Sequence, residues 1–61
     1  MRKFKAYCVE HGIKQSEIAE LLDISLQNTN KKLNGKEPFT FRQVELLCKT
    51  YGVSADEYFI Y

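Results

Sequence analysis

The chain has 61 residues, 44% of them apolar, and a net charge of +1, which is enough for one small domain spanning 1–61. No run approaches the ~18 apolar residues of a membrane span, no signal-peptide core follows the N-terminus and no low-complexity stretch argues for disorder, so a cytoplasmic protein is expected. Cys8 and Cys48 lie far apart and His11 is the single histidine, which argues against zinc and leaves two buried, reduced thiols as the expectation over one disulfide.

Helical periodicity accounts for nearly the whole chain. Phe4, Tyr7 and Cys8 share one face of a first helix over residues 2–11, with His11 in its last turn and Gly12 as its stop. Ile18, Ala19, Leu21 and Leu22 give a second helix over residues 15–22. Its N-cap position holds Lys14, which has no acceptor to offer, and Glu17 in the first turn is the one compensating feature. Asp23 and Ile24 make a turn, and Ser25 caps a third helix that runs to Leu33 or Asn34 and stops at Gly35.

The loop "GKEPF" has Pro38 as its rigid point. Thr40 to Gln43 then reads as a capping box, and Phe41, Val44, Leu47, Cys48 and Tyr51 form the expected buried stripe of a fourth helix ending at Gly52. Ser54 to Glu57 is a second capping box, with Val53 and Tyr58 spaced as a hydrophobic staple for a short fifth helix. No segment alternates as a strand does. The predicted fold class is all-α, a compact five-helix bundle.

The third helix carries the functional signal. In "ISLQNTNKKLNG", Asn28, Thr29 and Asn30 together cost about 1.5–2 kcal/mol against alanine in a helix interior. An ordinary solvated face mixes Glu with Lys, whereas this stretch has no acid between Asp23 and Glu37 and presents Gln27, Asn28, Lys31 and Lys32. Side-chain amides donate and accept together, which is what reading an adenine edge in the major groove requires. A second helix, a short turn and a capped third helix make a helix-turn-helix over about residues 15–34, and in that motif the second member enters the major groove.

At these residues the chain resembles the Cro/CI (XRE-type) helix-turn-helix domains of phage and bacterial regulators, which have the lambda-repressor-like fold. The resemblance covers about residues 3–59. It rests on Gln15 opening the second helix, Ala19 within it, Ser25 capping the third, "LNGK" closing it and "YGVSADE" before the fifth. Each element is weak alone; in this order and spacing they are specific.

The resemblance implies that Ala19 is the small residue where the two helices approach and that Gln15 binds a DNA phosphate. It puts base reading on Leu26, Gln27 and Lys31, with Asn28 beside them, and phosphate contacts on Gln15, Ser25, Lys32, Asn34, Lys36 and Arg42. Gln27 is suited to adenine and Lys31 to guanine O6 or N7. Leu26 stands where the family has a polar residue, and either a thymine methyl or the core could take it. Thr29 replaces a larger apolar anchor, and Asp23 replaces the glycine of the turn. Lys32 is open to a plain solvated role.

The implied function is a sequence-specific transcriptional regulator of the small Cro-like repressor kind, binding a pseudo-palindromic operator as a dimer with half-sites about 34 Å apart. If each monomer neutralises about three phosphates, a dimer should show a log–log salt slope of about −5. The apolar tail Tyr58, Phe59, Ile60 and Tyr61 is the expected dimer surface. Two alternatives stay open: the DNA-binding part of a larger CI-like repressor or antitoxin, and a helix-turn-helix fold turned to protein binding. No nucleophile–base pair, metal cluster or phosphate-cradling glycine loop is evident, so no enzyme, cofactor or small-molecule ligand is expected.

Overall fold

The computed structural model describes residues 4–59; Ile60 and Tyr61 of the expected dimer surface, and the first two residues of the expected first helix, lie outside the described residues. Five helices follow in order: α1 (Phe4–Glu10), α2 (Gln15–Leu22), α3 (Leu26–Leu33), α4 (Phe41–Tyr51) and α5 (Ala55–Tyr58). The fold is all-α, with no strand among the described residues.

The helix ends follow local chemistry. After α3 the Lys36 N–H donates to the Lys31 carbonyl at 2.9 Å and the Gly35 N–H to that of Lys32 at 3.2 Å, a Schellman closure. The same pattern closes α1 through Gly12 and Ile13, and α2 through Asp23 and Ile24. Asp23 takes the left-handed conformation at φ 56°, the single non-glycine to do so among the described residues. Aspartate tolerates that region better than most residues, which lets the turn survive without glycine. Ser25 Oγ accepts from the Asn28 N–H at 3.1 Å, as its N-cap position requires. Thr40 and Gln43 form the expected reciprocal box, at 3.1 and 3.0 Å.

Each helix sends at least one side chain to a common core: Phe4 and Cys8 from α1, Ile18 from α2, Leu33 from α3, Leu47 from α4 and Tyr58 from α5. Phe4 is its aromatic hub, with ring centroids of Tyr7, Tyr51, Tyr58 and Phe59 all within 5.9 Å. The Tyr7 hydroxyl donates to the Tyr51 carbonyl at 3.3 Å, tying α1 to the end of α4. Cys8 is a buried free thiol and Cys48 a half-buried one. Burial, with the Glu17 carboxylate adding to it, pushes the Cys8 pKa up to about 11.

Four expectations are corrected. Phe41 is 84% exposed and lies outside the buried stripe of α4; Phe39 packs against the core in its place, its ring 5.4 Å from that of Phe59. The chain enters α4 with Phe41 at the first helical position, so the side chain points past the edge of the apolar stripe. Ser54 makes no side-chain cap, so the second capping box is not formed; the Glu57 N–H turns instead to the Ser54 carbonyl at 3.3 Å. Tyr58 is 5% exposed and closes the core, which removes it from the surface available to a second copy. His11 falls just past the end of α1, with its ring 4.1 Å from that of Tyr7.

Candidate nucleic-acid interface

α2 and α3 are the most extensively packed pair of helices, joined by Asp23, Ile24 and Ser25. Ala19 is buried on α2, and on α3 only Thr29 and Leu33 are buried. Thr29 therefore anchors the helix despite its small size, fully enclosed, with its hydroxyl satisfied by the Ser25 carbonyl. Two anchors one turn apart leave the remaining face of α3 outside.

That outer face holds the residues expected to read bases. Gln27 and Asn28 are exposed, Lys31 is half-buried, and Leu26 is 54% exposed, which settles the open alternative against core packing. Among the described residues, no acid occupies the first turn of α3, and Lys31 and Lys32 sit in its last turn, where the helix dipole favours cations.

The expected phosphate-binding residues divide into two groups. Lys36 and Arg42 are exposed beyond α3, and Ser25 is exposed at its start with its Oγ already accepting from the Asn28 N–H. Lys32, Gln15 and Asn34 are each engaged within the chain. Lys32 Nζ donates to the Pro38 carbonyl at 2.9 Å, fastening α3 to the loop that follows it. Gln15 Oε1 accepts from Asn30 Nδ2 at 3.3 Å. Asn34 Nδ2 donates to the Asn30 carbonyl at 2.8 Å and to Asn30 Oδ1 at 3.1 Å, while Asn34 Oδ1 accepts from Lys5 Nζ at 2.7 Å.

Sequence reasoning missed Asn30 and Lys5. Asn30 had a signal, since it precedes Asn34 by one helical turn and side chains so spaced are neighbours. Lys5 had none, because its contact joins residues 29 apart in the chain.

The start of α2 is open in a specific way. Glu17 Oε1 accepts from the Lys14 N–H at 3.4 Å and the Glu17 N–H donates to the Lys14 carbonyl at 3.0 Å. Lysine cannot return the side-chain half of the box, as it carries no acceptor. Helical geometry leaves the N–H groups of Gln15 and Ser16 without intrahelical acceptors, at the positive end of the dipole.

Among the described residues no group of three or more His, Cys, Asp or Glu side chains is placed to hold a metal ion, and no helix is long and apolar enough to cross a membrane. The family model described as the BetR domain matches residues 3–61. No curated protein and no solved structure matches the chain.

Proposed function

The chain belongs to the BetR domain family, and on that premise we propose that it is a sequence-specific double-stranded-DNA-binding regulator, a cytoplasmic Cro-like repressor without catalytic activity. The observation that carries this reading is the division of α3. Thr29 and Leu33 fix it from the inside, while Leu26, Gln27, Asn28 and Lys31 line a face with amides, a cation and no acid.

In this reading α3 lies in the major groove. Gln27 pairs bidentately with an adenine edge, Lys31 donates to guanine, Asn28 serves a neighbouring base or phosphate, and Leu26 meets a thymine methyl. Gln15 and the open N–H groups at the start of α2 take one backbone phosphate. Ser25, Lys36 and Arg42 take others, and Lys32 joins them by exchanging the Pro38 carbonyl for a phosphate oxygen. Two copies read two half-sites about 34 Å apart. With Tyr58 in the core, the dimer contact falls to Phe59, Ile60 and Tyr61.

Selection of bound duplexes from random DNA by the purified chain tests the reading. Enrichment of a symmetric site, bound with a salt slope of about −5, is the expected result. Absence of both enrichment and salt-sensitive binding overturns it. Sedimentation that shows a monomer both free and on the selected site overturns the dimer.

A further inference from the structure

Four side chains, three from α1, α2 and α3 and one from the C-cap of α3, form one continuous line of hydrogen bonds: Lys5 to Asn34, Asn34 to Asn30, Asn30 to Gln15. The line has a direction. An ammonium donates and never accepts, so Lys5 draws the carbonyl of Asn34 toward itself. The NH2 of Asn34 must then face Asn30, and it meets two acceptors there, the side-chain and backbone oxygens. With Oδ1 so occupied, Asn30 turns its NH2 to Gln15 Oε1. Among the described residues nothing accepts from the Gln15 NH2, which is left as the terminal donor beside the open N–H groups of α2.

Resting on the DNA-binding reading above, we propose that Asn30, backed by Asn34 and Lys5, is a positioning residue: it fixes the Gln15 amide with its NH2 outward, toward a backbone phosphate. An unrestrained glutamine amide would offer its oxygen to an anion as readily as its nitrogen. The relay removes the repulsive orientation, and the Lys5 charge at its far end polarises every bond in the same sense. Asn34 thereby changes role, from a direct phosphate ligand to the middle of the line.

The test uses the full chain and a two-turn duplex of mixed sequence at low salt. Asn30→Ala and Gln15→Ala should each weaken binding about tenfold, and the double variant should be no worse than Gln15→Ala alone. Asn30→Asp, which can only accept, should turn the Gln15 NH2 inward and weaken binding at least as much. Lys5→Met should weaken it, and Lys5→Arg, again a pure donor, should restore it. These residues are exposed or half-buried, and alanine is the better helix former at position 30, so melts no lower than that of the wild type are expected and separate positioning from unfolding.

Wild-type affinity in Asn30→Ala, or losses that multiply in the double variant, overturns the relay while DNA binding stands. Should the wild-type chain bind no duplex, the DNA reading fails and takes the phosphate role with it. NMR of the free protein tests the relay separately. Asn30→Ala should shift the Gln15 side-chain NH2 resonances, and unchanged resonances overturn it whatever happens with DNA.

Discussion

The Thr29 hydroxyl donates to the Ser25 carbonyl at 3.0 Å, and that same carbonyl accepts the Thr29 N–H at 3.0 Å. The fully buried polar atom of α3 thus leans on an acceptor that already has a partner. Removing the hydroxyl orphans nothing, so Thr29→Val should be neutral or stabilising by up to about 1 kcal/mol. Thr29→Ile should overpack the site and cost about 1–3 kcal/mol. Urea denaturation reads both; a large loss in Thr29→Val would show that the hydroxyl holds more than its own carbonyl.

Asp23 ends α2 at φ 56°, where a side chain carries a steric cost that glycine lacks. Asp23→Gly should raise stability by about 0.5–1 kcal/mol and Asp23→Val should lower it by about 1–2 kcal/mol. Equal stability of the three proteins would mean that the turn does not keep this conformation in solution.

The buried Cys8 thiol ties stability to alkaline pH. An unfolded chain ionises this thiol near 9.0, whereas the folded protein holds the proton to about 11. Above pH 9 the unfolded state sheds a proton that the folded state keeps, so stability is whole below about 9 and falls as the pH climbs toward 11. Tyr51, also raised chiefly by desolvation, acts in the same direction at higher pH. Denaturation midpoints measured across this range should fall less steeply in Cys8→Ala, and iodoacetamide should label the native thiol far more slowly than the unfolded one.

On a selected site, Gln27→Ala should cost about 1–3 kcal/mol against one preferred base and leave the salt slope unchanged. Arg42→Ala should weaken all sequences alike and reduce the slope by about 1 per monomer. A uniform loss in Gln27→Ala would move that residue from base to backbone.

What could be read in advance was local. The bounds of α2, the Ser25 cap and the Thr40–Gln43 box each depend on residues within a turn of one another, and each was legible. Local reading also failed at the Ser54 cap and at the end of α1, and the other failures depended on remote chain. Phe39 and Phe41 are equally apolar, and the core that Phe39 packs against, the Phe59 ring among it, is supplied by parts of the chain remote from both. The Leu26 ambiguity had the same source, since helical spacing lined it up with Leu33 while the core had room for Thr29 and Leu33 alone. On α3, the polar outer face with Gln27 and Asn28 was legible from helical spacing, whereas the contact made by Lys5 required α1 to be folded beside the end of α3.

The two-anchor attachment of α3 makes the helix an exchangeable cassette. Leu26, Gln27 and Asn28 face outward and bear no part of the core, so substitutions there rewrite the surface without being filtered by folding. A lineage, or a designed library, can vary these positions freely while Thr29, Leu33 and the Ser25 cap hold the frame. Divergence on this helix should therefore run ahead of divergence in the rest of the chain.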